Sequence, residues 1–584
     1  MDVPRDAFPF HLANILHDLT TCSFVAMDLE LSGIPAHSSG APYTGMQTLQ
    51  ERYAQTKEAA ERYQVLQIGL TIAHEDVATG TYTLKPYNFH LSPIIDQRLE
   101  IERVWSCQSS AIEFLMANKF RLQTPFEEGV YYISRDEEKR AMAKALQRQD
   151  RAVERSLIDV RESDTESLEF LGTVRRAIDA WLAKGKRADD YLNIPPPARE
   201  KKVRGSNPPL TVLNRFQKRL VHQLVQSEYP SLVTIGKPGF VQIIRYDEVR
   251  EEAVKMERMR RTEERILRQT GFRWIAEALT GGDLSKLDPK TFSHLVVDLK
   301  GMKKEKAVEE FAESIKQRLK VRRPTLVGHN LFLDLINFCQ CFFGNLPERV
   351  EDFQDMVHEM FPILIDTKYM ATHECGSIIP SSSLAEINDA LKEKTKPEIV
   401  VDPQHSKYES QELFHEAGYD SMLTAKVFIK LSAQLCQEDS GVEVDKHKPT
   451  SIKAIDTHEG LHPEISKTPG RKGEKVQEHL EPPRQEPAKI PKAETRFAHR
   501  TKFDLLTDTV ETVDSDETEI GRSSDLSSTE EDGDIAQKIK NGELIPRFGS
   551  AFWNVYGNKL RVFGTEERVC VLGSTAGPKK TPAR

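Results

Sequence analysis

The chain has 584 residues and a formal net charge of −9, with 38% hydrophobic residues and seven scattered cysteines. That length predicts two or three domains rather than one. Composition argues against a membrane protein, a secreted disulfide scaffold and a zinc module: no apolar run approaches the roughly 18 residues that span a bilayer, the opening MDVPRDAFPFHL has no basic-then-apolar signal pattern, and there is no CxxC pair.

The charge is uneven. Between Asp504 and Asp534 stand twelve acidic residues and one arginine, a local net of −11, which leaves about +2 for the remainder (−9 less −11). An acidic total therefore does not exclude a nucleic-acid partner. The odd number and wide spread of the cysteines favour reduced thiols inside a cell.

In chain order, FVAMDLEL, YQVLQIGLTIA and TYTLKPYNFHL predict three strands, and SSAIEFLMANKF a helix with Ile112, Leu115 and Met116 on one face. DEEKRAMAKALQRQDRAVERSL predicts a solvated helix that closes a first part, 1–165. A small α/β module is expected over 166–250, where the basic helix of NRFQKRLVHQLVQSEYPSLVTI runs into a strand and FVQIIRYD supplies another. The larger domain resumes over 251–436: GFRWIAEALTGG as a helix, PTLVGHN as a strand and turn, LFLDLINFCQCFF as a helix and FPILIDTKYMA as a strand. HEAGYDSMLTAKVFIKLSAQL closes it as an amphipathic helix. Residues 437–545, rich in Lys, Glu, Pro, Ser and Thr, predict a disordered linker that includes the acidic segment. Residues 546–573 turn apolar and aromatic again and predict a short β-like segment.

The first strand carries Asp28 and Glu30. Alternation puts both on one face, about 7 Å apart at their Cα atoms. An isolated DxE is ordinarily a solvated edge. Here Asp334 follows a Gly-His-Asn turn within an apolar helix, and His415 and Asp420 stand five apart at the start of the last helix. Four carboxylates and one histidine fit two-metal phosphodiester hydrolysis. The acids hold magnesium or manganese as hard oxygen ligands, and the histidine takes the proton of a water.

DLELSGI, CQSSAIEFL, GHNLFLDL, FPILIDTKYMA, SSLAEI and HEAGYDSMLTA together resemble the poly(A)-specific ribonuclease (PARN) family of DEDD exonucleases, over about residues 1–435. The His-x4-Asp spacing resembles the DEDDh subclass, since the alternative tyrosine position is Glu416. The resemblance implies a mixed RNase H-like sheet flanked by helices, with a small inserted α/β RNA-binding domain. It implies a magnesium-dependent 3′-to-5′ exoribonuclease that releases 5′-monophosphates, with two Mg2+ ions (Mn2+ as a substitute). Asp28, Glu30, Asp334 and Asp420 would bind the metals and His415 would be the general base. Ile34, Asn330 and Lys368 would meet the single-stranded RNA 3′ end. In the insert the family's Arg-x-x-x-His signature is filled by Lys218 and His222. The family often has an aromatic residue where this chain has Leu31, so a changed base preference is expected there.

Poly(A) is the expected substrate, in the nucleus or the cytoplasm. Relatives that trim small-RNA 3′ ends often end in a membrane anchor, and no membrane contact is expected here. A catalytically inactive RNA-binding scaffold on the same fold is the alternative from another class, and it is disfavoured because all five site residues are present. DNA is disfavoured by the insert. Members of the family often form homodimers, which leaves a homodimer as an open expectation.

Overall fold

The computed structural model describes residues 1–35, 46–147, 158, 160–161, 163–185, 189–195, 212–297, 301–373, 383–439 and 528–573. Most of the expected linker, with most of the acidic segment, lies outside them.

A six-stranded sheet organises the larger domain, in the order β8-β7-β1-β2-β3-β9. The strands β1 (Phe24–Leu31), β2 (Val65–Asp76) and β3 (Thr81–His90) form an antiparallel meander. Strand β7 (Thr325–Gly328) runs parallel to β1, β8 (Leu364–Asp366) parallel to β7, and β9 (Glu398–Val401) parallel to β3. This is the mixed, helix-flanked sheet that the family resemblance implies. Both faces are covered, which is why the first nine residues of β2 are all buried. Alternation divides β1 between two cores. Val25, Met27, Leu29 and Leu31 pack on one side with Leu335 and Phe338 of the Phe332–Phe342 helix. Phe24 and Ala26 pack on the other beneath the Ala417–Asp439 helix, with the Phe24 and Phe428 rings 4.7 Å apart.

The insert has a sheet and a core of its own. Strands β4 (Tyr191–Ile194), β5 (Leu232–Lys237) and β6 (Phe240–Arg245) pair antiparallel in the order β4-β6-β5. The helices Thr165–Ala183 and Arg215–Glu228 place Val174, Ile178, Trp181, Leu220, Val221 and Leu224 against Val241 and Ile243. Ile158 and Val160, ahead of the expected start at 166, also pack there.

The C-terminal region differs most from expectation. Residues 528–545 are not a linker: they hold the helix Ser528–Lys540, and Leu544 and Ile545 are buried in the core beneath the Ala417–Asp439 helix. The Ile545 N–H donates to the Tyr82 hydroxyl at 3.0 Å. After the short helix Phe552–Tyr556, strands β10 (Lys559–Arg561) and β11 (Val569–Val571) form a hairpin. Trp553 and Tyr556 enter one core; Leu560, Val562, Cys570 and Leu572 enter the other. Each fully buried large apolar side chain contributes about 1.5–3 kcal/mol before entropy is counted. The expected short β-like segment is therefore an integral part of both cores.

The stretch FPILIDTKYMA is also not one strand. Only Leu364–Asp366 is extended, and Asp366 caps a helix Thr367–Thr372, its Oδ1 accepting the Lys368 N–H at 2.9 Å. A carboxylate at that position satisfies an otherwise orphaned helix N–H and ends the strand.

Candidate active site

Asp28 and Glu30 continue the β1 row that begins with Phe24 and Ala26, beyond the part covered by the Ala417–Asp439 helix. Asp28 pairs with Gly69 and Glu30 with Gln67 on β2. The helix begins directly over this point because position 69 has no side chain: a Cβ there would lie 1.8 Å from the Ala417 carbonyl oxygen. A Cβ on Gly418 would likewise come within 2.4 Å of the Tyr408 hydroxyl. Two side chains of the sheet hold the first turn. The Ala417 N–H donates to Gln67 Oε1 at 2.9 Å and the Gly418 N–H to Asn88 Oδ1 at 3.2 Å.

His415, just before the helix, has φ 64°. A non-glycine residue in the left-handed region is uncommon, and such strain concentrates at sites of function. Its N–H donates to Asp420 Oδ2 at 3.0 Å, and its ring stands edge-on to Phe114 at 4.7 Å. Ligand atoms of Glu30, His415 and Asp420 all lie within 4.8 Å of one another.

Asp334 arrives from the adjacent strand. The turn after β7 passes through Asn330 at φ 57° into the helix Phe332–Phe342, whose first turn carries Asp334. Asp366 holds this turn: its Oδ1 accepts the Asn330 N–H at 2.8 Å, and its Oδ2 accepts the Arg561 N–H at 2.8 Å. Asp366 was not anticipated as a site residue. A lone Asp between an apolar run and a helical pattern is the signal that marks it as a cap.

The electrostatics tie the acids together. Asp28 is pushed well above the ordinary carboxylate range by burial and then by Asp420, Asp334 and Glu30. Burial, Asp420 and Asp334 push Glu30 the same way, and burial with Asp366 raises Asp334. Asp420 is raised to about 7 by burial, against the opposing His415 N–H. Among the described residues, the charges that act on Asp28 are thus other acids. Such a cluster fits a divalent cation, because a shared positive ion removes the repulsion that raises the pKa values. His415 is lowered by burial, which favours the neutral imidazole that can accept a proton.

The other expected contacts are placed as follows. Lys368 is buried, with its ammonium 5.6 Å from the Phe563 ring centre, and burial lowers its pKa. Ile34 is exposed, its N–H donating to Gln108 Oε1 at 2.9 Å. Leu31 differs from expectation: a bulge separates it from Glu30, it is buried, and it packs with Leu29 on the face opposite the acids. Lys218 and His222 lie on the insert, where the Lys218 ammonium donates to the Lys237 carbonyl at 2.7 Å and His222 Nδ1 shares a 2.7 Å hydrogen bond with Thr234 Oγ1. Both contacts join the Arg215–Glu228 helix to β5.

Residues 3–428 match the CAF1 family ribonucleases. The match covers most of the chain, and the chain belongs to that family. The poly(A)-specific ribonuclease PARN of Danio rerio is 26% identical over 454 residues, 74% of this chain and 60% of that protein. The pre-piRNA 3′-exonuclease trimmer of Bombyx mori is 23% identical over 457 residues, 76% of this chain and 73% of the trimmer. The chain thus spans about 60% of the length of the first PARN relative it matches. The solved structure of S. pombe Pop2p in its Mg2+ and Mn2+ bound form covers 74% of this chain and 92% of its own, at 12% identity and a TM-score of 0.31, too low to inform the site.

Proposed function

We propose that the chain is a magnesium-dependent 3′-to-5′ exoribonuclease acting on RNA 3′ ends, with poly(A) tails as the first substrate to test. The observation that carries the reading is the mutual crowding of Asp28, Glu30, Asp334 and Asp420 beside His415. Family membership supports the same reaction class. The four carboxylates would hold two divalent ions. Bound there, the ions supply a water of lowered pKa and positive charge for the leaving oxygen. His415, kept neutral, would accept the proton of the attacking water, and the Asp420 carboxylate orients the His415 backbone through its N–H. Asn330, Lys368 and Ile34 would meet the terminal nucleotide. On the insert, Lys218 and His222 would act by positioning the basic helix for phosphate contact.

A second reading, 3′ trimming of non-coding RNA precursors, draws on the likeness to the Bombyx mori trimmer. Labelled RNAs with A, U, C or G tails, incubated with magnesium or with EDTA, test both. Release of 5′-monophosphates from the A-tailed RNA first, with magnesium only, supports deadenylation. Equal rates on all four tails favour trimming, and no degradation of any RNA refutes the activity.

A further inference from the structure

We propose that Phe563, in the C-terminal hairpin, is a nucleobase-stacking residue for the RNA 3′ end. The inference rests on the proposed RNA substrate and deepens it. The hairpin lies outside the residues matched to the family, 3–428.

Phe563 is 43% exposed, while its neighbours Val562 and Thr565 are 4% and 0% exposed. The loop that presents it is fixed. Thr565 Oγ1 donates to the Val562 carbonyl at 2.9 Å and accepts the Arg568 N–H at 3.0 Å. The Glu566 N–H donates to the Gln47 carbonyl at 2.8 Å, and the Leu49 N–H to Glu567 Oε2 at 2.8 Å. An apolar ring left partly in water on an ordered loop gives up favourable burial.

Two cations border the ring. The Lys368 ammonium lies 5.6 Å from its centre and the Arg561 guanidinium 5.8 Å. Arg561 is itself fixed, with Nε donating to Thr372 Oγ1 at 2.8 Å and the guanidinium 5.4 Å from the Tyr369 ring centre. A partly exposed ring for a base, with positive charge over one part of it for a phosphate, is the chemistry that single-stranded nucleic acid recognises. Asp366 ties the hairpin to the turn that leads into the candidate site: its two oxygens accept the Arg561 N–H and the Asn330 N–H, four residues before Asp334. Strand β1 offers no such ring at position 31, since Leu31 is buried.

The test compares the full-length protein with Phe563→Ala and Phe563→Trp. Binding is measured in EDTA to a short A-tailed RNA and to the same RNA with an abasic 3′-terminal nucleotide. Phe563→Ala should weaken binding of the intact RNA on the order of tenfold, the usual scale of one lost base stack. It should leave the abasic RNA unchanged, and Phe563→Trp should keep wild-type affinity for both. Equal weakening of the two RNAs by Phe563→Ala, or none, would overturn the inference. Degradation by the wild type with magnesium is measured in parallel. Binding with the expected pattern but no degradation would refute the exoribonuclease reading alone, and no RNA binding by the wild type would overturn both.

Discussion

One buried acid, Glu137, and the cluster of acids around Asp28 are treated in opposite ways in this molecule. Glu137 lies beside Arg103, which donates Nε to Oε1 at 3.0 Å and Nη2 to Oε2 at 2.7 Å. Burial pushes Glu137 up, but Arg103 and Ser134 together carry it below its ordinary value. Asp28 is half-buried, and the charges around it, Asp420, Asp334 and Glu30, raise it beyond the effect of burial. A protein that needs a buried acid only for its fold supplies the counter-charge itself. Where four acids meet with no counter-charge among the described residues, the repulsion is relieved by taking up protons, as the raised pKa values show, or by a bound cation of the kind proposed above.

Breaking either group should expose the difference. The largest effect is expected from Asp28→Ala: loss of RNA hydrolysis by about 10³-fold or more, the scale of removing transition-state charge stabilisation, with RNA binding retained. Retained magnesium-dependent degradation would refute the assignment. Next comes Arg103→Ala, which leaves Glu137 buried and unpaired. It should destabilise the fold by about 3–5 kcal/mol in denaturant unfolding, and a change below 1 kcal/mol would remove the contrast. His415→Ala should slow hydrolysis by about 10²–10⁴-fold, the range for a lost general base, with the melting temperature unchanged.

The smallest effect concerns pH. Asp420 is raised to about 7 in the fold, against about 3.9 in an unfolded chain. The folded state then binds more protons over that interval, so the acid's contribution to stability is lost as pH rises from about 4 to about 7. Asp420→Asn removes the titration. At pH 8, without divalent ions, it should therefore melt a few degrees higher than the wild type, while at pH 4 the two should match. Equal melting temperatures at both pH values would show that the acid is not strained.

Much of the site was legible because it follows local periodicity. Two acids at alternate positions of an apolar strand must share a face, and HEAGYD leads into the Ala417–Asp439 helix. What was not legible depends on contacts between distant parts of the chain. The Leu364 N–H donates to Asn558 Oδ1 across 194 positions, and no local pattern announces that pairing. The C-terminal segment is accordingly expected only as a short β-like segment, without the place where it docks, and Asp366, which binds it, as an ordinary strand residue. The burial of Leu31 was hidden for a smaller reason: the bulge that separates it from Glu30 is not visible in composition. The roles of Gly69 and Gly418 were equally hidden, since each depends on how closely the helix approaches the sheet.

The most direct test of the account is calorimetric titration of the metal-free protein with Mn2+ at pH 6.5, for wild type and Asp28→Ala. The account predicts saturable binding of about two ions per chain with proton release on binding, and its loss or severe weakening in the variant. Identical binding by the two proteins, or no saturable binding by the wild type, would contradict it.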